Sequence, residues 1–454
     1  MATGNSKTKW NGQASAGESI QVEASALDTR LEYEGKLSEK DVLATEPAHP
    51  INTWSGSVAN RNRLYYGDNL PILATLRQDP KVCGHVKLVY IDPPFATNSV
   101  FHSRTLTDAY QDLLVGAHYV EFMRRRLILL RELLADDGTI YVHLDENMAF
   151  YMKVIMDEIF GAKNFRNWIT RKKCNPKNTT RKRYGDVSDY ILFYSKTDNY
   201  IWNRPVEEWT EERAKKEYNC IEAETGRRYK RVPVHAPGTR NGATGGPWRG
   251  KLPPPGKHWQ YTPDMLDEMD ARGEIHWSTN GNPRRKIYLD DSSGIPVQDI
   301  WLDLPDVRNQ NTKITGYPTE KNPDLIARII QASSNPGDLV LDCFAGSGTT
   351  LVEASRLKRA WIGIDSSLTA IATMLRRFAI GTEPMGDFVE KGEIQQAPAQ
   401  QMLFDDPAVE VESQVQASAT TQMINDFTFF ANDPNAAALT SILSDWRKQQ
   451  AANS

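Results

Sequence analysis

Cysteine is scarce in this chain. The four present among 454 residues, Cys83, Cys174, Cys220 and Cys343, lie far apart without CxxC or CxxH spacing, which excludes a disulfide framework and suggests no structural zinc. A reducing compartment fits. Long apolar runs are also missing: no stretch approaches the roughly 18 uninterrupted apolar residues of a membrane span, and the opening residues MATGNSKTKWNGQ hold no apolar signal segment. The expectation is a soluble, unexported, cytoplasmic protein with no membrane contact. Neither charge sign dominates, since 54 Lys plus Arg oppose 58 Asp plus Glu for a net −4. At face value that weak acidity argues against a nucleic-acid binder. With 40% hydrophobic residues, the composition excludes collagen, full disorder and a small disulfide scaffold, and the length suggests two or three folded units.

What is present begins with a polar arm. Residues 1–50 are rich in Gly, Ser, Ala and Glu, with one short patterned piece from Leu31 to Val42, and read as mostly disordered. Strand and helix signals then alternate. Leu64–Tyr66 runs into Gly67 and Asp68 as a short strand into a turn, and Leu70–Leu76 reads as helical. The run VKLVYI, Val86 to Ile91, is a continuous apolar block stopped by Asp92, Pro93 and Pro94, as a buried parallel strand would be. An amphipathic helix is predicted from about His118 to Leu134, ended by a turn at Asp136–Gly138. A strand follows at Thr139–Leu144, then a helix at Met148–Phe160 closed by Gly161. The alternation fails between 166 and 300, where Arg, Lys, Pro, Gly and Trp accumulate around one clear strand at Asp189–Tyr194. It returns with a helix at Pro323–Ser333, a strand at Leu339–Asp342, a helix at Thr349–Leu357 and a strand at Trp361–Ile364. The predicted organisation is an α/β domain with a doubly wound parallel sheet, formed by residues 51–165 and 301–381 and interrupted by an insert at 166–300. Residues 382–454 read as an acidic Gln- and Ala-rich tail with a helix at Ala436–Gln449.

Two motifs carry chemistry. LVLDCFAGSGTT, Leu339 to Thr350, is a strand, a glycine turn and the opening of a helix; Gly346 and Gly348 let backbone approach a ligand, and the helix start offers NH groups. A nucleotide P-loop would need a Lys before the final Ser or Thr, and none is there. A dinucleotide fingerprint would place a third Gly where Leu351 stands. Asp365, at the end of the next strand, can accept from ribose hydroxyls. A nucleoside without a pyrophosphate, such as S-adenosylmethionine, is left. The second motif is Asp92-Pro93-Pro94-Phe95, at the carboxyl end of a predicted parallel strand, where open α/β sheets bind ligands. The prolines remove two NH donors and stiffen the turn. An acceptor-only carboxylate, a peptide carbonyl and an aromatic face suit an exocyclic amino group on a planar base.

DPPF together with FAGSGTT resembles the amino-methyltransferases of DNA, which use S-adenosylmethionine to methylate adenine N6 or cytosine N4. With DPPF ahead of the glycine turn and a basic insert between, the order is similar to that of the circularly permuted beta group, which includes modification subunits of type III restriction systems. The likeness extends through LYYGDNL, LADDGTIYVHLDENMAFYMKVIMDEIFG, NPKNTTRKRYGDVSDYILFYSK and YPTEKNPDLIARII, covering roughly residues 60–380. The resemblance implies a Rossmann-like methyltransferase sheet with an inserted target-recognition domain. It implies a base pocket at Asp92, Pro93, Pro94 and Phe95, with the leading Asp pointing to adenine. It further implies S-adenosylmethionine bound by Asp342, Phe344, Gly346, Gly348 and Thr349, with Asp365 at its ribose, Asp68 and Asn69 near its adenine, and Thr319 and Lys321 at its methionine carboxylate. No metal is implied. Implied partners are double-stranded DNA, a second copy of the chain, and a restriction or helicase subunit, in the cytoplasm of a prokaryote. Two positions depart from the family pattern: Cys343 stands where Pro is usual, and Asn322 separates Lys321 from Pro323.

The insert supplies the DNA side. Phe165–Arg183 contains eight Arg or Lys and no acid, and Arg171, Lys172, Lys173, Lys177, Arg181, Lys182 and Arg183 are the candidate phosphate contacts, Arg also being able to read base edges. Residues 237–259, with Trp248 and Trp259, fit either a lobe near DNA or a packed loop with Trp anchors. His235, His258 and His276 read as surface or packing residues. By position, residues 1–50 carry net −3 and residues 382–454 net −8, leaving +7 for the middle. The overall charge therefore conceals a basic body between acidic ends.

Overall fold

A computed structural model describes residues 29–56, 61–94, 116–175, 182, 184–306, 313–314, 320–384, 423–432 and 437–453. It divides into two compact units: residues 1–202 with 299–454, and residues 203–298. In the first unit a ten-stranded sheet runs in the spatial order Ile51–Ser55, Thr428–Ala431, Arg63–Tyr66, Ala360–Asp365, Leu339–Asp342, Val86–Ile91, Leu134–Leu144, Ser188–Ser195, Phe165–Lys172, Ile300–Trp301. The six strands from Thr428–Ala431 to Leu134–Leu144 are mutually parallel. Both faces of this block are buried, which explains the unbroken apolar run from Val86 to Ile91. Val89, Ile91, Leu341 and Ile364 join a core with the helices Asn69–Gln78, Ala117–Leu133 and Ala149–Phe160. On the other side Trp361 packs 5.6 Å from Phe378 of the helix Leu368–Ile380.

The chain order places a switch point at the centre. From Val86–Ile91 the next strand in sequence lies to one side, at Leu134–Leu144; from Leu339–Asp342 the next lies to the other, at Ala360–Asp365. These two central strands are hydrogen-bonded neighbours, Leu341 opposite Val89, so the loops after Ile91 and after Asp342 leave the same sheet edge in diverging directions and open a crevice between them.

Four boundaries differ from the sequence reading. The insert begins at 203 rather than 166: Phe165–Lys172 and Ser188–Ser195 extend the main sheet as antiparallel strands, because Ile169, Ile191, Leu192 and Phe193 supply buried apolar residues. The acidic tail is not wholly a tail. Thr428–Ala431 enters the sheet as a parallel strand beside Arg63–Tyr66 with Phe427 and Phe429 buried, and Ala437–Asn453 packs on Leu368–Ile380, with Trp446 5.6 Å from Phe427. The polar arm is tied down from about residue 31, where Tyr33 donates to Glu121 (2.6 Å) and Ser38 caps a short helix holding buried Val42. The expected turn at Asp136–Gly138 is an irregularity inside one strand, with Leu134 opposite Val86 and Thr139 opposite Leu88.

The second unit carries a four-stranded antiparallel sheet, Ile275–Trp277, Pro283–Tyr288, Arg228–Pro233 and Cys220–Ile221 in spatial order. Trp248 and Trp259, each 2% exposed, pack with Leu266, Met269 and Ile275. The Trp anchors expected within residues 237–259 are thus present.

Candidate active site at the central crevice

The glycine turn is built by backbone donors aimed at carboxylates. Asp342 ends its strand and accepts from the Phe344 NH (2.9 Å), while Asp365 accepts from the Gly346 NH and the Ser367 NH, both at 2.8 Å. Gly348 caps the helix Thr349–Arg356 at φ +75°, and a Cβ there would lie 2.7 Å from Met374 Cγ, so a side chain is excluded both by conformation and by space. The helix-to-strand clearance that a dinucleotide fold gains from its third glycine is obtained otherwise: Leu351 faces Gly363, where a Cβ would collide with the leucine.

These carboxylates are unusually placed. Burial pushes the Asp342 carboxyl up to about 7, reinforced by Asp92 and Asp365 and opposed by hydrogen bonds from Thr350 and Phe344. Burial likewise raises Asp365 to about 6 against its backbone donors. Asp92, Asp342 and Asp365 edge the crevice. Their oxygens are hydrogen-bond acceptors, which fits the hydroxyl and amino groups of a sulfonium nucleoside.

Asp92 follows the adjacent strand. Its Oδ2 lies 2.9 Å from Lys321 Nζ, with the two side chains 15% and 12% exposed, and its Oδ1 is a buried oxygen with no hydrogen-bond partner. Sequence reading placed Lys321 at a cofactor carboxylate; here it sits against the carboxylate of the predicted base pocket. Asn322, the residue that departs from the family pattern, caps the helix Pro323–Ser333 by accepting from the Asp324 NH (2.9 Å) and ties back to the Pro305 carbonyl (2.9 Å). The extra residue is thus used as an N-cap before an N1 proline. Phe95 and Thr319 lie outside the described residues.

Asp68 and Asn69 meet the glycine turn from a third strand end. Asn69 donates to the Cys343 carbonyl (2.7 Å) and accepts from Arg126, whose guanidinium also reaches Asp68 (2.9 Å) and lies 3.5 Å over the Phe122 ring. The Asn69 amide joins the two halves of the chain, while Asp68, 53% exposed at its side chain, keeps acceptor capacity. Thr349 directs its hydroxyl inward: it accepts from Arg377 (2.9 Å), which also reaches Glu320 (3.3 Å) beside Lys321. Arg126 and Arg377 were missed by sequence reading. Their signal was an arginine in an apolar helical stretch, YVEFMRRRLILL and TMLRRFAI.

The basic run does not stay together. Arg171 is fully buried: it holds Asp189 through Nε (2.9 Å) and a terminal nitrogen (2.6 Å), reaches Asp306 (2.6 Å) and donates to the Leu304 carbonyl (3.1 Å). Its assignment as a DNA contact is corrected, because a guanidinium closed into two carboxylates has no face for phosphate. Asp189 lies 2.9 Å from His143 Nε2, and His143 Nδ1 is 2.9 Å from the Tyr90 hydroxyl. Burial opposes ionisation of Asp189, yet His143 and Arg171 hold its carboxyl well below the usual range; burial keeps His143 below its ordinary value. Lys172 and Lys173 are half-buried, Lys182 is exposed, and Lys177, Arg181 and Arg183 lie outside the described residues.

The switch-point crevice is thus edged by carboxylates, with a glycine turn on one strand and an acceptor-only Asp-Pro-Pro loop on its neighbour, an arrangement open to a nucleoside cofactor. The sequence profile of the DNA methylase family, comprising N6 and N4 methyltransferases, matches residues 86–376. The chain is 50% identical over 364 residues to the type II methyltransferase M.EcaI of Enterobacter cloacae, covering 79% of each chain. It is 26% identical over 351 residues to the type III restriction-modification enzyme StyLTI Mod subunit of Salmonella typhimurium, covering 69% of this chain and 53% of that one. The M1.HpyAVI–SAM complex aligns with 70% of this chain and 98% of that one at 17% identity and a TM-score of 0.38. The chain belongs to the N6/N4 DNA methylase family and is an S-adenosylmethionine-dependent DNA methyltransferase of the restriction-modification type. Among the described residues no helix is long and apolar enough to cross a membrane.

Proposed function

We propose that the chain methylates N6 of adenine at a specific site in double-stranded DNA, with Asp92, Pro93, Pro94 and Phe95 as the base pocket. The observation that carries this reading is the Asp92 carboxylate: one oxygen is held by Lys321, and the other is buried and unpartnered at the carboxyl end of a central strand. An unpartnered buried carboxylate oxygen is costly unless a ligand donor completes it. An exocyclic amine offers such a donor, and the leading Asp favours adenine by the family likeness. Asp68, Asp342, Phe344, Gly346, Gly348 and Asp365 would hold the cofactor, with Asp365 at the ribose and the Thr349 backbone at the helix start.

Bound S-adenosylmethionine supplies a methyl group already activated on a sulfonium. The protein's work is therefore alignment. Asp92 Oδ1 and the Pro93 carbonyl accept the two amine hydrogens, which favours a more tetrahedral, more nucleophilic nitrogen as charge develops. Lys321 keeps the second Asp92 oxygen occupied, so only one oxygen faces the base. N6 is out of reach inside a duplex, so the base is flipped at a cost of a few kcal/mol, offset in part by stacking on Phe95. A homodimer and a restriction or helicase partner belong to the same reading; sedimentation of the purified chain, giving one protomer's mass, would remove the dimer.

The test is expression in a host lacking other methylases, followed by sequencing of the genomic DNA for modified bases. N6-methyladenine at one short motif is the expected result. Cytosine N4 methylation, or no modification from a soluble, cofactor-binding protein, overturns the adenine reading.

A further inference from the structure

The basic run that looked like the DNA contact is partly consumed inside the sheet, which raises the question of where else cations collect. Several cations of residues 203–298 are neutralised locally: Arg213 by Glu207, Lys230 by Glu217, Arg227 by Asp290 and Asp291, Arg249 by Asp267 and Asp270, Arg272 by Glu274. One sheet face differs. Register puts His276 opposite Arg284, Lys286 opposite Arg231 and Tyr288 opposite Tyr229, and directly opposed residues share a face. Arg231 and Arg284 are exposed, and among the described residues neither has a carboxylate partner. Arg231 lies 3.5 Å from His276 Nε2 instead. The acids beside this face are committed: Glu222 accepts from Lys286 and Tyr288, each at 2.7 Å, and Glu274, whose carbonyl pairs with the Lys286 NH, accepts from Arg272 at 2.7 Å. The opposite face is the covered one: Ile275 and Trp277 join the Trp248 core, and Arg285 donates to Tyr261.

The imidazoles report the same field. Burial lowers His276, and Arg231, Lys286 and Arg284 lower it further; burial lowers His235, assisted by Lys257 and Arg284. No carboxylate acts on either ring, so the electropositive patch runs from Arg231 across Arg284 to Lys257.

We propose that this open sheet face of residues 228–288 holds the DNA phosphate backbone, with Arg231 and Arg284 as the principal contacts. The proposal rests on the DNA-methylating reading of the chain and adds where the duplex is gripped. Like charges left unpaired on one face cost stability, and a polyanion removes that cost. The planar guanidinium fork matches phosphate oxygens.

The test is equilibrium binding of the full chain to duplex DNA, measured across salt concentrations, for wild type, Arg231→Gln, Arg284→Gln and the double variant. Each single variant is expected to weaken binding about tenfold near 0.1 M salt and to lower the log–log salt slope by about 1, equally on specific and unrelated duplexes, with the melting temperature equal to or slightly above that of wild type. Arg213→Gln, an exposed arginine paired with Glu207, serves as the control and stays within about twofold, the range of an ordinary surface change. Affinity and slope of the double variant equal to wild type would overturn the proposal and leave this face to an acidic protein partner, while wild-type methylation of genomic DNA would still stand. A loss confined to one sequence would assign the face to base reading instead and also overturn it. A wild type that neither binds nor marks DNA would remove the functional reading together with this one.

Discussion

Arg171 and Arg284 both sit on strands crowded with further cations, yet they end in opposite surroundings. Arg171 is enclosed with Asp189, Asp306 and, through Asp189, His143 and Tyr90. Arg284 faces solvent beside Arg231 and His276. The first strand is drawn into the main sheet by Ile169 and by Ile191 and Leu192 opposite it, so its arginine must bring carboxylates along. The second lies on a sheet whose helices cover only the other face. The difference teaches that a positive residue counts toward a DNA surface only after the fold has shown which side of its strand is buried.

Predictions follow from this contrast between a self-satisfied interior and an open face. The largest concerns the buried Asp92 carboxylate oxygen left without a partner. Asp92→Ala is expected to lower methyl transfer by at least about 10³-fold, the scale of losing a well-placed transition-state group, while calorimetry shows cofactor binding retained; loss of cofactor binding would misplace the base pocket. Next, Arg171→Met leaves Asp189 charged and buried, which costs about 3–5 kcal/mol. Denaturant unfolding should show it, and an unchanged midpoint would restore Arg171 to the surface. A smaller effect attaches to Asp342. Its folded carboxyl lies near 7 against an ordinary 3.8, so the folded state holds its proton more tightly than the unfolded chain. Its contribution to stability is present at acid pH and lost as pH rises from about 4 to about 7. Asp342→Asn should therefore melt higher than wild type above pH 7, by an order of 2–4 kcal/mol, with the difference shrinking toward pH 4; a constant difference across that window would contradict the shift. Smallest is Lys182→Gln on the exposed part of the run, within about 0.5 kcal/mol of wild type in stability. A larger loss in urea unfolding would show that Lys182 is anchored like Arg171.

Much of the frame was readable in the sequence. Val86–Ile91, Pro323–Ser333 and Leu339–Asp342 have the bounds expected from apolar runs and their Pro, Gly and Asp stops, because those signals are local. The Asp-Pro-Pro loop and the glycine turn were legible for the same reason. Other assignments failed where the deciding contact is distant. Thr428–Ala431 looks like part of an acidic tail until Arg63–Tyr66 offers it an edge, and Ser188–Ser195 looks like an insert strand until Leu134–Leu144 pairs with it. Lys321 could be placed near the site but not against Asp92, since 229 positions of sequence separate them.

By itself the sequence determined the parallel α/β class, the two loops that carry chemistry and the residue types available there, all consequences of short-range periodicity and backbone restriction. Only the tertiary structure decided that the two loops leave neighbouring strands in diverging directions, that Lys321 occupies one Asp92 oxygen, and that Arg171 is interior while Arg231 and Arg284 face out. Those facts depend on strand order and on which face of each strand is covered, and neither is encoded within the span of any one element.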